Sequence, residues 1–321
     1  MIVTRTSQVI AGVMALWLST LPVRAADEVK LEAKFPEGQT LRYRVRTSKN
    51  QQTKGLGMEM PSNQDRTEVW TDAIGKRRKD GGVPVAVQVE LSRDRRRLPG
   101  GRNVLYEGKG SKARIDYPEY EFFQDLYQVE GQYAYTAVLD GTSGGKVKAI
   151  EGADALRDRV AKIDPRAGDL LRSTLAPDAL EQEFRRVHVL SALPDGPVKP
   201  GTSWERTEAI DQGAGLEMVY HRKYDYAGTE KRGGKTLHKI NVKVLDVQFR
   251  QDSDSSSPLK PTKSEIKVGS SDGTILFDAA AGRVVDSRER MELTGSLTLS
   301  AQGQDQRTTF DLSIRTEIQL Q

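Results

Sequence analysis

Apolar and polar residues alternate along long stretches of this chain, and that alternation limits the fold more than any other feature. Every second residue from Val83 to Leu91 is apolar, whereas Gln88 and Glu90 fall between them. A period of two directs one set of side chains into a core and the other into water. The same alternation recurs in 41–46, 240–244, 291–299 and 310–320. The sequence therefore predicts a mainly β protein whose antiparallel sheets have one wet face.

One part of the chain changes from this period of two to the spacing of a helix. Apolar residues fall three or four positions apart within 153–163 and again within 178–190, and Pro177 suits the first turn of the second segment. The positions are Leu156, Val160, Ile163, Leu180, Phe184 and Val187. Residues 151–194 are therefore predicted to be a helical segment and connector. It would join two curved antiparallel β lobes, 27–150 and 195–321, with half-barrel or sandwich geometry left open.

The first 26 residues have the features of a cleaved secretory signal. Arg5 supplies a positive charge, the segment 9–21 is apolar, and small residues follow at Ala25 and Ala26. A charge, an apolar run and small residues, in this order, are typical of a signal peptide. The apolar run is shorter than the roughly twenty residues that a spanning helix needs. We therefore predict export to the periplasm or the medium, with no membrane span left after cleavage.

Charge and cysteine content narrow the function classes. The chain contains no cysteine, which excludes disulfides, a thiolate nucleophile and cysteine-type metal sites. Two of the 49 basic residues, Arg5 and Arg24, lie in the predicted signal, which leaves 47 against 45 acidic residues and a net charge of +2. Nucleic-acid binding requires a concentrated basic face. A finely mixed, almost neutral chain does not predict a nucleic-acid partner.

The segment Gly269-Ser270-Ser271-Asp272-Gly273 matches G-x-S-x-G, the nucleophile elbow of α/β-hydrolases. That chemistry needs the serine on a strand-to-helix turn, followed later by an acid and a histidine. All three histidines precede Ser271, and a strand-like run follows it. The segment is therefore predicted to be a turn between strands, and no catalytic residue is assigned.

The histidines do not predict a metal site. In the register expected for the hairpin 216–247, His238 lies on the apolar face and His221 on the opposite face. A metal ion needs converging imidazoles and carboxylates, so these two side chains cannot share one. His238 is interpreted as a core histidine with a hydrogen-bond partner. No metal and no cofactor is predicted.

The densest aromatic cluster of the chain consists of Tyr117, Tyr120, Phe122, Phe123 and Tyr127. Aromatic side chains this close together can line a groove for carbohydrate, peptide or lipid. They can equally fill a core, because each buries a large apolar area. We take these five residues as the candidate ligand-binding residues, with core packing as the alternative.

Several turn-and-strand signatures carry a resemblance to known proteins. They are the opening Pro200-Gly201-Thr202-Ser203-Trp204 and two hairpins, Leu139-Asp140 with Gly145-Lys146-Val147 and Phe277-Asp278 with Gly282-Arg283-Val284. With the signal peptide, they resemble a family of exported bacterial proteins of unknown function, over most of the chain. More distantly, the chain resembles periplasmic lipoprotein carriers, in which a curved antiparallel sheet half-encloses a hydrophobic groove. The first likeness implies no activity, and the second concerns the fold alone.

Three functions stay open at this point. The first is an exported, non-catalytic cell-envelope protein that binds a partner protein or polymer through sheet edges or loops. The second is a carrier of a lipid or another hydrophobic ligand, held between sheet and helix in an apolar cavity of several hundred Å³. The third is a hydrolase with an unrecognised site.

Overall fold

A computed structural model describes residues 28–321 apart from ten short gaps. The gaps are 56–57, 109–110, 116–123, 125–126, 128–132, 142–143, 164–173, 212–215, 252–259 and 302–303. Most described residues lie in antiparallel strands, and two α-helices lie between the seventh and the eighth strand. The prediction of a mainly β, antiparallel fold with a helical segment is confirmed.

Thirteen strands are found within the described residues. They are β1 (Thr40–Gly55), β2 (Met58–Ile74), β3 (Gly82–Arg97), β4 (Asn103–Tyr106), β5 (Arg114–Ile115), β6 (Tyr133–Asp140), β7 (Val147–Glu151), β8 (Ser203–Asp211), β9 (Leu216–Arg232), β10 (Lys235–Gln251), β11 (Lys260–Asp278), β12 (Arg283–Ala301) and β13 (Gln304–Leu320). The helices are α1 (Ala153–Ile163) and α2 (Pro177–Val187).

All thirteen strands belong to one open sheet. Its order is β5-β4-β3-β2-β1-β13-β12-β11-β10-β9-β8, and β6 and β7 extend it beside the first half of β3. The first and last strands pair in the middle, from Tyr43 opposite Leu320 to Lys54 opposite Thr309. The sheet is therefore continuous across both β-rich parts of the chain. The exact lobe boundaries predicted from the sequence stay a prediction.

The sheet curves strongly around its inner face, the face that carries the core. Strands β2 and β8 are seven places apart in the sheet order. At about 4.8 Å per strand they would stand about 34 Å apart in a flat sheet. Residues of both strands nevertheless line the same cavity. The curvature turns the inner face into a trough with two opposing walls.

The main core follows the predicted alternation. All five apolar residues at every second position from Val83 to Leu91 are at most 4 % exposed. The core extends across both walls of the trough and includes Tyr43, Trp70, Tyr224 and others from most long strands. A second apolar cluster lies further along the strands. Its buried members are Met218, Tyr220, Val244, Val247, Met291, Leu293 and Ile314.

Helix α2 closes one end of the trough. Its residues Leu180, Phe184 and Val187 are 4 %, 0 % and 0 % exposed and pack into the main core. Pro177 occupies the first turn, where its missing N–H costs nothing. The helix ends at His188, and Val189 follows with φ 55°, the left-handed conformation that usually falls to glycine after a helix. A β-branched residue there is a strained backbone position.

The prediction of a turn at Gly269–Gly273 is wrong. Strand β11 runs through this segment, with a register shift between Val268 and Ser270. The glycine at 273 serves close packing, because an added Cβ would lie 3.1 Å from the Arg288 carbonyl oxygen and 3.2 Å from the Cβ of Val242. Glycine inside a strand often marks such an approach or a bulge.

Candidate functional site

A cavity of about 550 Å³ lies between the inner face of the sheet and α2. Ligand pockets of proteins usually measure about 300–1,000 Å³. One wall consists of β2, β3 and β6, the other of β8, and α2 lies across them. The lining residues include Arg66, Glu68, Trp70, Val89, Tyr135, Leu180, Glu183, Arg186, Arg206 and Glu208. The cavity agrees in place and size with the predicted carrier groove, but its lining combines apolar with charged side chains.

An ion pair on α2 faces this cavity. The Nε of Arg186 donates to Glu183 Oε2 at 2.8 Å, and a second short contact joins Arg186 Nη2 to Glu183 Oε1. Burial opposes ionisation of Glu183, yet Arg186 holds the pKa of that carboxyl below its usual value. Burial likewise opposes the charge of Arg186, and Glu183 more than compensates by raising its pKa. Both groups are therefore ionised at neutral pH.

The wall formed by β2 carries a second ion pair. Arg66 Nε donates to Glu68 Oε1 at 2.7 Å, and Trp70 Nε1 donates to Glu68 Oε2 at 3.4 Å. Arg66 Nη1 also lies 4.0 Å from Asp94 Oδ2 on the neighbouring strand. A bulge between Thr67 and Glu68 brings Arg66 opposite Asp94 in the ladder. Both oxygens of Glu68 are thus bound and its side chain is fixed.

The opposite wall carries a third charged group. Arg222 on β9 donates from Nη1 to Glu208 Oε2 at 2.8 Å, and its Nη2 lies 3.3 Å from Glu289 Oε1 on β12. Burial works against the charge of Arg222, but the two carboxylates raise its pKa. These side chains are 12–20 % exposed. The pairs stay ionised in a largely buried setting because each charge has an opposite partner.

Lys49 on β1 stands among these groups, and the carboxylate of Glu183 is the one opposite charge that raises its pKa. It shares the parity of Tyr43 and Val45 and therefore the inner face of the sheet. Burial lowers its pKa, and the nearby guanidinium groups of Arg186, Arg96 and Arg66 lower it further. Burial and these three like charges outweigh the opposite charge of Glu183, so the folded state disfavours the protonated amine of Lys49.

Together these groups form an ionic belt across the trough. Arg186 on α2 interacts electrostatically with Glu68 on one wall and with Arg222 on the other. Helix α2 therefore links the charges of the two walls. The main core lies on one side of the belt and the second apolar cluster on the other. The ionic belt comprises Lys49, Arg66, Glu68, Glu183, Arg186, Glu208, Arg222 and Glu289.

Of the five aromatic residues selected from the sequence, Tyr127 lies within the described part of the chain. It is fully buried, its ring stacks on Tyr106 at 4.8 Å between centroids, and its hydroxyl donates to Asp94 Oδ2 at 3.0 Å. It belongs to a small apolar cluster separate from the main core. The other four, Tyr117, Tyr120, Phe122 and Phe123, lie outside the described residues. The ligand-binding role of the group stays a prediction.

The motif serine has a structural task. Ser271 Oγ accepts a hydrogen bond from the backbone N–H of Val244 at 2.8 Å, beside a bulge of β10. In the ladder of β10 with β11, His238 lies opposite Phe277, six residues from Ser271. At about 3.3 Å per residue, this separates the two positions by about 20 Å. Ser271 and His238 therefore do not form a nucleophile–base pair.

The two hairpin histidines have separate partners. His238 Nδ1 and the hydroxyl of Tyr226 share a hydrogen bond of 2.8 Å, and burial lowers the pKa of His238 below 6.5. His221 Nε2 lies 2.9 Å from Glu205 at the exposed surface. Among the described residues, no group of three or more His, Asp or Glu side chains could hold a metal ion.

Sequence reasoning missed a buried polar contact beneath α2. His188 Nε2 lies 3.1 Å from Asp72 Oδ2, and the side chains are 3 % and 0 % exposed. The ring of His188 also packs against Phe184 at 4.3 Å and edge-on against Tyr43 at 5.2 Å. Burial, followed by the charge of Asp72, raises the pKa of Tyr43. This contact fastens the end of α2 to β2.

Sequence reasoning also missed the ionic belt. The sequence contains a signal for the belt and for the contact between His188 and Asp72. Asp72 stands between Trp70 and Ile74 at the inward parity of β2, and Arg222 stands between Tyr220 and Tyr224 in β9. A charged residue in an otherwise apolar parity is expensive to bury without a partner. Such positions therefore indicate an internal ion pair or a polar site.

Comparisons with known proteins add little. Neither a scan against family models nor a search of curated proteins found a match. Among solved structures, a lipovitellin described for its lipid–protein interactions matches with a TM-score of 0.40 and 11 % identity over 90 % of this chain. The chain spans 25 % of that lipovitellin chain.

Two bacterial structures match at lower scores. An outer membrane channel from Pseudomonas putida F1 has a TM-score of 0.22 and 8 % identity, over 92 % of this chain and 100 % of the channel. The MucA/MucB complex from Pseudomonas aeruginosa has a TM-score of 0.14 and 9 % identity, over 84 % and 88 %. At these TM-scores the likeness carries no argument about function. The particular family resemblance drawn from the sequence stays a prediction.

Neither described helix combines the length and the apolar character needed to cross a bilayer.

Proposed function

We propose that this chain is an exported, non-catalytic binding protein that takes part of a partner protein or polymer into the cavity between the sheet and α2. The observation that carries the proposal is the cavity itself, a half-open space of about 550 Å³ that is bordered by two walls and a helix. Its size is that of a ligand site, and such sites combine apolar surface with a few placed polar groups.

The lining supports a ligand with both polar and apolar parts. Trp70, Val89 and Leu180 offer apolar surface, while Arg66, Glu183 and other members of the ionic belt offer charges. Because most belt charges are bound to one another, the walls are preorganised before a ligand enters. Preorganisation reduces the ordering cost of binding. A segment of a polypeptide or another polymer carries both kinds of groups along its length.

We favour binding over catalysis because the side chains that could act as a nucleophile or base make structural contacts instead. Ser271 holds a bulge of β10, His238 is bonded to Tyr226, and His188 is packed beneath α2 against Asp72. These contacts are structural. A hydrolase would require one of these groups to face the cavity beside a partner base or acid.

Photo-crosslinking in the producing cell tests the proposal. Benzoylphenylalanine replaces Ala179, which lines the cavity, and in a matched control replaces Lys243, which is exposed on β10. We expect a discrete adduct from position 179 that is absent from position 243. Equal labelling from both positions, or none from position 179, would contradict a cavity-bound partner.

A carrier of a hydrophobic ligand is the second candidate. The observation that favours it is the second apolar cluster, which extends the apolar surface beyond the ionic belt toward the far ends of the strands. The same crosslinking experiment distinguishes the two candidates by mass. A polypeptide adduct supports the partner-binding function, and a lipid-sized adduct supports the carrier.

A further inference from the structure

Strand β8 forms one end of the sheet. It pairs with β9 from Ser203 opposite Asp225 to Asp211 opposite Glu217, and no described strand pairs with its other edge. The outer edge of a terminal strand presents unpaired N–H and C=O groups, which can accept another strand. The pairing of β8 with β9 determines which of these groups are unpaired and which space they face.

The hydrogen-bond pattern identifies these groups. The carbonyl of Thr202 accepts from the N–H of Tyr226 at 2.9 Å. In an antiparallel pair, hydrogen-bonded positions alternate with non-bonded ones, so even-numbered residues of β8 are bonded to β9. Thr207 and Ala209 therefore direct their N–H and C=O groups away from β9. No other described backbone group is hydrogen-bonded to them.

This free edge opens into the cavity. Thr207 and Ala209 line it together with Arg206 and Glu208, although side chains of opposite parity point to opposite faces of a strand. Residues of both parities reach the cavity because the unpaired edge of β8, and not one of its faces, borders the cavity. The bordering stretch, 206–210, is about 16 Å long at 3.3 Å per residue. Across the space stand α2 and β2.

We infer that the occupant of the cavity is an extended segment of a partner polypeptide, which joins the sheet as a strand beside β8. The inference rests on the proposed function and specifies its ligand. Main-chain hydrogen bonds to Thr207 and Ala209 hold the segment, and alternate side chains face inward toward Trp70 and Leu180. Strand addition uses backbone bonds for affinity and pockets for alternate side chains for specificity.

A single strand suits this space better than a second copy of the chain. A copy that paired through its own β8 would bring its β9 and the rest of its sheet along. That sheet would have to occupy the place where α2 and β2 line the cavity. A peptide strand has no sheet behind it. The inward residues of the segment are expected to be apolar, because Trp70, Val89 and Leu180 form the apolar part of the lining.

The test uses linear peptides selected from a random phage-displayed library on the purified protein. Selected peptides are expected to show period-two alternation without central proline. Backbone N-methylation is then scanned along the best peptide, with binding measured by fluorescence polarisation. Methyl groups at alternate positions should weaken binding at least tenfold, and those between should have little effect, because every second N–H faces β8. Selection of no peptide, or a scan without this parity, overturns the inference.

Variants of the protein give an independent test. Thr207→Pro removes one edge N–H without disturbing the bonds to β9, and proline is tolerated on edge strands. We expect at least tenfold weaker peptide binding, whereas Lys243→Val, at an exposed residue of β10 outside the cavity, should bind normally. Equal binding by Thr207→Pro overturns the inference. If that variant does not fold, the N-methyl scan decides alone.

A cavity-filling variant separates this inference from the function on which it rests. Ala179→Trp fills the cavity from α2 and should abolish peptide binding. If Ala179→Trp abolishes binding but Thr207→Pro does not, the cavity remains the binding site and strand addition fails. If peptides bind Ala179→Trp normally, the proposed function itself fails. A dimer in light scattering that Thr207→Pro dissociates would assign the edge to a second copy and overturn the inference.

Discussion

At the scale of single residues, Lys49 is a charge that the fold accommodates poorly. Its pKa is lowered by burial and by three guanidinium groups, so the folded state disfavours its protonated form. At neutral pH the amine is protonated in the unfolded chain, and folding must overcome this cost. The cost is largest below the lowered pKa and disappears as the pH rises toward 10.5.

Lys49→Met should therefore stabilise the protein at pH 7. We expect the melting temperature to rise by about 2–4 °C, the shift that ~1 kcal/mol produces in a large domain. The matched control is Lys243→Met on the exposed face of β10, for which no shift is expected. The gain should shrink when melting is followed at increasing pH. A loss of stability in Lys49→Met would contradict the unfavourable setting of this amine.

His238 gives a pH dependence of the same direction as Lys49, but in the acid range. Burial lowers its pKa below 6.5, so the neutral ring bonded to Tyr226 is the folded form. Stability from this group is complete above pH 6.5 and falls as the pH drops through the lowered pKa. His238→Gln, which does not titrate, should lose less stability than the parent between pH 7 and pH 5 in urea unfolding. Identical pH profiles would contradict the assignment.

The sequence was informative about which residues are buried, but it did not identify the partners of the buried charges. Strict alternation correctly placed the apolar residues from Val83 to Leu91 in the core. No prediction was made for Asp72 and Lys49, although their parity directs them inward. Alternation specifies a face, but the partner of a charge on that face comes from another strand or helix. That pairing depends on curvature and register, which one sequence does not determine.

At the scale of elements, α2 depends on Phe184. The side chain is fully buried, packs against the ring of His188 and stacks with Phe35 at 6.0 Å between centroids. Phe184→Ala should reduce the free energy of unfolding by about 3–5 kcal/mol, the usual cost of a large aromatic truncation in a core.

The matched control lies on the same helix. Gln182→Ala changes a half-buried residue on the cavity side and should alter stability by about 0.5 kcal/mol or less. Both variants are compared by denaturant unfolding. If the two costs are equal, α2 is not anchored through its apolar face, and the cavity between helix and sheet loses its support.

The two helices were easier to predict than the course of the long strands. The helical periodicity of 153–163 and 178–190 corresponds closely to α1 and α2. The glycine-rich segment at 269–273 was interpreted as a turn because glycine and serine favour bends. In the structure Gly273 is needed because β11 passes close to Arg288 and Val242 at this position. A segment rich in glycine and serine can be a turn or the interior of a strand. Neighbouring strands that are distant in sequence decide between the two.

At the scale of the whole molecule, export is the feature most open to direct measurement. Intact mass of the protein purified from its producing cell should correspond to a chain that begins at Ala26 or Asp27. The expectation follows from the small residues after the apolar run. The control is an Ala25→Gln, Ala26→Gln variant, which should retain the leader because signal peptidase requires small residues there. An uncleaved parent chain would contradict the prediction.

The pairing of β1 with β13 has a consequence for how this protein is made. These two strands stand fifth and sixth among the eleven along the main path of the sheet, so its middle joins residues about 265 positions apart in sequence. Contacts of such separation fold slowly, because the chain entropy of a long loop is lost before they form. While the ribosome is still synthesising the chain, β1 lacks β13, the neighbour that joins the two halves of the sheet. We therefore expect the sheet to stay incomplete during synthesis until β13 has been made.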